Sequence, residues 1–358
     1  MRRPSGLAAA LRTALASIRA RVTAVALATV LACAGARVTA AALRTGLACA
    51  AASLVVVALT GCAQAESPAA PRPVTLVLDF EPNGVHAGIY EAVRARHDVA
   101  RGVRLRVREP SATTDGLKLL ALGRADLAVV DIHDLGLARE RGADVVGVGA
   151  LVQRPLAAVI ARGVRRPREL EGRRVGVTGL PSDDAVLRAV VEADGGDPRR
   201  VRRTTIDFSA VPSLVAGRVA AATAFWNAEG VALRARGVRT REFRLADAGA
   251  PPYPELVLVA RTASVRDERP LLRATLAALA AGTRGAVRDP RAAQAALERA
   301  SGADEALVRA QLDAVLPALE PPMRLDRPAL EAWARWDARM GILRRTPDVG
   351  KAFVFDLL

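Results

Sequence analysis

From Pro73 onward, short apolar segments alternate with helical ones, and this alternation narrows the fold more than any other feature of the chain. Val74–Leu78 reads as a strand and Gly88–Arg96 as a helix. Val103–Val107 alternates apolar residues with arginines, the pattern of a half-exposed strand. Thr113–Leu122 follows as a helix, with Thr113 or Thr114 as its N-cap and Gly123 closing it. Ala125–Val130 and Val145–Leu151 are buried strands. The pattern then restarts. Strands are predicted at Pro155–Ala161, Arg173–Val177, Thr204–Ile206, Val219–Ala224 and Leu256–Ala260, and helices at Asp183–Ala193 and Glu229–Ala235. After Arg261 only helices remain: Leu271–Val287, Arg291–Ala300, Asp304–Val315 and Ala329–Met340. Strands joined by crossover helices make mostly parallel sheets, so the expectation is two α/β lobes and a helical C-terminal part. Open sheets of this kind bind ligands at the carboxyl ends of their strands, and two such edges facing each other form a cleft.

The first 62 residues are different. They carry seven arginines and no acid, and all three cysteines: Cys33, Cys49 and Cys62. The apolar run Leu47–Leu59, preceded by Arg44, ends in Leu59-Thr60-Gly61-Cys62. A basic flank, a short apolar core and small residues at the cut site describe a secretory signal, and the run is short for a span of about 20 residues. The LTGC tetrapeptide resembles a bacterial lipobox, which implies lipidation of Cys62 and an extracytoplasmic body anchored to the membrane. A second apolar run, Val22–Ala36, makes the leader long, and translation starting nearer Val38 would explain it. Residues 63–73, rich in Ala and Pro, read as a flexible tether. The expected organisation is residues 1–62 as signal, 63–73 as tether, 74–153 as the first lobe, 154–261 as the second, and 262–358 as a helical return to the first.

Beyond residue 62 there is no cysteine, which excludes a disulfide, a thiolate metal site or a Cys nucleophile in the body. The formal charge of +15 falls to +8 once the seven leader arginines are set aside. The remaining basic residues are scattered arginines, with Lys118 and Lys351 the two lysines, and they form no basic, aromatic-interleaved groove for nucleic acid. His86, His97 and His133 are not at metal-ligand spacing, so neither a metal nor a cofactor is expected. His133-Asp134 is expected to cap a helix, and Trp333 and Trp336, three apart on a helix, to be core.

Only 3% of the chain is aromatic, so the places where aromatics gather carry information. LDFEPNGVHAGIY, Leu78 to Tyr90, holds Phe80 and Tyr90 with Asp79, Glu81, Asn83 and His86 between or beside them. FWNAEG, Phe225 to Gly230, puts an aromatic doublet beside Glu229 at a strand-to-helix turn. Tyr253 lies between Pro252 and Pro254, and Ser182 stands at the start of a helix as a capping residue with a side role in ligand binding.

LDFEPNGVHAGIY is similar to the LDWxPNxxHAGxY motif of bacterial binding proteins for the thiamine pyrimidine precursor, the substrate-binding components of an ABC importer. LKLLALGRADLAVVD, GALVQRPLAAVIA, LEGRRVGVTGLPSDDAVL, GRVAAATAFWNAEG and PPYPELVLVA extend the resemblance in order over most of the body. It implies a type II periplasmic-binding fold, with lobe crossings near Gln153 and Arg261 and the C-terminal helices packed on the first lobe. It also implies a non-enzymatic, monomeric protein that closes on an aminopyrimidine of the hydroxymethyl or formylamino type and delivers it to a permease with its ATPase. Phe80 stands where the family pattern has Trp. Phe80, Asn83, His86, Tyr90, Ser182, Trp226, Glu229 and Tyr253 are the candidate ligand contacts, with Trp226 packing on the ring and Glu229 accepting from its amino group. The alternatives within the same superfamily are an aliphatic sulfonate as ligand, served by Ser111, Thr113, Thr114 and Ser182, and a pyrimidine synthase. The synthase would need a lysine-bound pyridoxal phosphate and a Cys-rich motif.

Overall fold

The computed structural model describes residues 70–358; the leader, Cys62 and most of the tether lie outside the described residues. The first lobe is built from β1 (Arg72–Val77), α1 (Ala87–Arg94), β2 (Val103–Arg108), α2 (Asp115–Ala121), β3 (Leu127–Asp131), α3 (Ile132–Glu140) and β4 (Val145–Ala150). The second contains β5 (Ala157–Ala161), β6 (Arg174–Val177), α4 (Pro181–Ala193), β7 (Arg202–Thr205), α5 (Ala210–Val215), β8 (Ala221–Phe225), α6 (Glu229–Ala235) and β9 (Arg241–Arg244). There follow β10 (Leu256–Arg261), α7 (Thr262–Asp267), α8 (Arg269–Arg288), α9 (Pro290–Ser301), α10 (Glu305–Val315), α11 (Arg327–Arg339) and α12 (Val349–Ala352).

The strands form two five-stranded sheets, ordered β2-β1-β3-β10-β4 and β7-β6-β8-β5-β9. Both share one topology. In each sheet one strand is flanked by two parallel pairings, β1 with β2 and β3, and β6 with β7 and β8. The fourth strand of each order, β10 or β5, runs antiparallel to its neighbours. These two are the strands by which the chain arrives from the other lobe. Such a strand enters at the carboxyl end of the parallel set, so it must run the opposite way. This corrects one sequence expectation: Leu256–Arg261 belongs to the first sheet, and the second crossing therefore lies between Arg244 and Leu256 rather than near Arg261.

Side-chain pattern explains strand position. Val103 and Leu105 are buried and Arg104, Arg106 and Arg108 exposed on β2, an edge strand whose arginines discourage further pairing. Every residue of β4 and β5 is buried. Three local expectations also change. Thr114 occupies the N-cap position of α2 without a side-chain cap; instead Asp115 turns back to accept the N–H groups of Ser111 (2.7 Å) and Ala112 (3.1 Å). The N-terminus of α3 is capped by Asp131, which accepts from the His133 N–H, and His133 lies buried inside the helix. Ser182 makes no cap on α4, where Asp183 instead accepts from the Thr178 N–H (2.7 Å).

The C-terminal helices pack on the first lobe. The 20-residue α8 lies against α1 through Gly88 and Gly282, each of which leaves no room for a Cβ: one at Gly88 would collide with Thr283, and one at Gly282 with the Gly88 carbonyl. Gly84 likewise abuts the backbone of Gln311 in α10, where an added Cβ would stand 2.6 Å from the carbonyl oxygen. Gly84 and Gly88 of the LDFEPNGVHAGIY segment are thus fixed by packing. Overpacking at such a contact costs about 1–3 kcal/mol, so Gly88→Ala is expected to lower the unfolding free energy by that much, seen as a lower urea midpoint at an unchanged m-value by circular dichroism.

Candidate functional site

The carboxyl ends of β1, β3, β6, β7 and β8 open onto a cavity of about 430 Å³, within the range of small-molecule sites. Both lobes line it. The first contributes Asp79, Phe80, Asp131 and Asp134; the second contributes Thr178, Ser182, Asp183, Asp207, Phe208, Thr223, Phe225 and Glu229. Phe80 and Phe208 meet across the lobes, edge to face, with centroids 4.9 Å apart. Asp207 holds a left-handed conformation, φ 46°, that directs the chain into this contact.

Of the eight predicted contacts, Phe80, Ser182 and Glu229 line the cavity, and Asn83, His86, Tyr90, Trp226 and Tyr253 do not. Asn83 and His86 are buried and form a reciprocal capping box: Asn83 Oδ1 accepts the Val85 N–H (3.2 Å), and His86 Nδ1 accepts the Asn83 N–H (3.2 Å). With Nδ1 accepting, the ring proton sits on Nε2 and is donated to Asp79 Oδ1 at 2.8 Å. The two residues therefore hold Asp79, which lines the cavity, and do not line it themselves. Tyr90 is half-buried among first-lobe apolar side chains, and burial, then Glu109, pushes its hydroxyl up to about 12.

Trp226 faces away. Its indole N–H donates to the Pro155 carbonyl (3.2 Å), its own backbone N–H to Leu156 (3.1 Å), and the Arg244 guanidinium covers its ring at 4.1 Å. It clamps the second lobe to the first crossing segment. Its neighbour Phe225 takes the cavity position, because alternate residues of a strand point to opposite sides. Glu229 accepts the Phe225 N–H (3.1 Å). Burial raises its carboxyl to about 7, against the opposing backbone hydrogen bonds, and Asp79 and Glu81 raise it further.

Tyr253 is fully buried in a polar network beneath the cavity floor. Its hydroxyl lies 2.9 Å from His133 Nε2, and His133 Nδ1 lies 2.9 Å from Asp337. Burial opposes charge on His133, but Asp337, Asp131 and Glu255 more than offset it and raise the imidazole to about 10, so both ring nitrogens donate. Glu255 accepts the N–H groups of Leu156 and Ala157, joining the second crossing to the first. Asp131, His133 and Glu255 bring ligand-type atoms within 4.8 Å of one another. Both His133 nitrogens and one Glu255 oxygen are already committed, so this trio is a polar tie at the hinge rather than a metal cage. Trp333 and Trp336 pack around it, buried.

Sequence reasoning missed Phe208, Asp131, Asp134 and Asp183 as cavity residues. Phe208 carried a usable signal, being one of few aromatics and lying just beyond a parallel strand. The acids did not, because their role depends on which helix faces which across the cleft. Lys118, expected to be solvated, is exposed and stands at the cavity rim together with the exposed Arg141.

Comparison with known proteins agrees with this architecture. The model of the family described as NMT1/THI5 like matches residues 83–293, and the chain belongs to that family. It is 32% identical over 221 residues to a formylaminopyrimidine-binding protein of Halalkalibacterium halodurans, covering 61% of this chain and 67% of that one. It superposes on the alkanesulfonate-binding protein of Xanthomonas axonopodis pv. citri with a TM-score of 0.64 at 19% identity, over 80% of this chain and 99% of that one. The aliphatic sulphonate binding protein of Escherichia coli gives 0.63 at 15% identity, over 80% and 92%. The fold is therefore that of periplasmic binding proteins.

Two outcomes test the electrostatics. A carboxyl raised from 4.5 to about 7 binds more protons folded than unfolded, so its contribution makes stability fall as pH rises through that window. Glu229→Gln should flatten this part of the stability–pH curve in urea titrations. Asp337→Asn strips the buried His133 of its main partner and should cost about 3–5 kcal/mol at neutral pH, read by the same titration.

Proposed function

We propose that this chain is an extracytoplasmic solute-binding protein that captures an aminopyrimidine of the thiamine-precursor type between its lobes and delivers it to an ABC permease. The observation that carries this reading is the cavity wall itself. Phe80, Phe208 and Phe225 offer ring faces and edges from both lobes, and Asp79 and Glu229 supply acceptors beside them. A flat ring with an exocyclic amino group needs that combination: aromatic surface for its faces and a carboxylate for its N–H groups. The similarity to a formylaminopyrimidine-binding protein supports the same ligand class.

The protein works by closure. Asp79 and Phe80 belong to one lobe and Phe225 and Glu229 to the other, so a ligand touches both sets only when the lobes are together. It shifts the open–closed equilibrium by its extra affinity for the closed form. No chemical step is needed. Anchoring through a lipidated Cys62, with residues 63–73 as tether, would hold the monomeric body near its permease.

An aliphatic sulfonate is the second reading, since two sulfonate-binding proteins share the fold. Thr113, Thr114 and Ser182 line the cavity as that reading requires, but the carboxylates among them oppose an anion.

Calorimetry on protein beginning at Ala63 tests the choice, with hydroxymethyl- and formylaminomethyl-aminopyrimidine as ligands and taurine as control. Pyrimidine binding is expected, and heat from taurine alone would overturn the proposal. Phe80→Ala should weaken pyrimidine binding by about tenfold, the scale of one aromatic contact, and Glu229→Gln by tenfold to a hundredfold. Because Glu229 must be ionised to accept fully, wild-type affinity should rise between pH 5 and 8 and the Gln variant should lose that dependence.

A further inference from the structure

We infer that the ligand carries a positive charge, a primary ammonium on the arm of the ring, and that Asp134 and Asp183 select for it. This rests on the pyrimidine reading above and specifies the substituent that the reading leaves open.

The charges of the cavity are sorted by depth. Both cations that line it, Lys118 and Arg141, are exposed at its rim. Asp134 is only 6% exposed, and Asp131 and Asp183 stand beside it in the wall. Asp134 comes from α3 of the first lobe; Ser182 and Asp183 come from α4 of the second. Asp134 and the Ser182-Asp183 pair therefore face one cavity from opposite lobes. Asp183 already accepts from the backbone and hydroxyl of Thr178, so it is held in place before any ligand arrives.

Two carboxylates brought together in a desolvated wall repel one another when both are ionised. Burial first, then Asp131 and Asp183, raises Asp134 well above the usual carboxylate range. Nearby anions favour a cation at this spot, and the low dielectric that makes burying it costly also strengthens that attraction. An ammonium would accept no repulsion, would donate to both acids and would let the closed form keep them ionised. A hydroxymethyl arm can donate one hydrogen bond but leaves the charge unbalanced. A formylamino arm adds a carbonyl oxygen facing carboxylates. A phosphorylated arm would place anion against anion. A primary amine remains protonated at neutral pH, so the cationic form is the one that meets the site.

The experiment titrates wild-type protein from Ala63 with three pyrimidines that differ only at the arm: aminomethyl, hydroxymethyl and formylaminomethyl. The expected result is that the aminomethyl compound binds at least about tenfold more tightly than either of the others. Asp134→Asn should then narrow that ratio to about threefold or less, with folding verified by circular dichroism; Asp183→Asn is the second variant, should the first not fold. A neutral arm binding as tightly as the amine overturns this inference and leaves the pyrimidine reading standing. An amine preference that survives in the folded variants overturns the assignment to these residues. Silence for all three compounds overturns the inference and the reading beneath it.

Discussion

The carboxylate of Glu255 is the constraint on which the two-lobed arrangement depends. It stands at the end of the second crossing and accepts the N–H groups of Leu156 and Ala157 at the end of the first. Backbone groups at a crossing have left one sheet and not yet joined the other, and buried N–H groups without acceptors are costly. One side chain meets that need for one crossing while belonging to the other. Around it, Asp131, His133, Tyr253 and Asp337 form a tie in which the imidazolium is the single cation among several acids. Asp131 also lines the cavity, so the floor of the cavity and the joint between the lobes are one polar structure.

The same economy appears in the two motifs that stand out in the sequence. In LDFEPNGVHAGIY, Asp79 and Phe80 reach the cavity, Asn83 and His86 orient Asp79, and Gly84 and Gly88 admit the C-terminal helices. In FWNAEG, Phe225 and Glu229 face the cavity while Trp226 grips Pro155 and Leu156. Each motif carries contact, orientation and packing together within a single short segment.

That mixture explains what was legible. The alternation of strands and helices predicted both lobes, because buried strands and amphipathic helices write their periods into the chain. The reversal of β5 and β10 was not visible, since an all-apolar strand such as Leu256–Ala260 looks the same in either direction. Within the site, Phe80 and Glu229 were legible as rare or acidic residues at strand ends. Trp226 is the conspicuous residue of its motif by size, yet strand alternation gives the cavity side to Phe225. His86 and Tyr253 are polar groups whose partners, Asp79 and His133, satisfy them internally. Asp134 and Asp183 are ordinary helical acids until α3 and α4 face each other.

The anchoring of Phe80 has a consequence for timing. Its segment is pinned by the capping box and wedged against α10, so the ring is not on a hinged flap. Parting Phe80 from Phe208 therefore requires one whole lobe to swing. Motions of that kind take microseconds to milliseconds, far slower than the rotation of an exposed side chain. Residence time of a solute between the lobes is then set by rigid-body movement of a lobe, not by side-chain rotation at the cavity mouth.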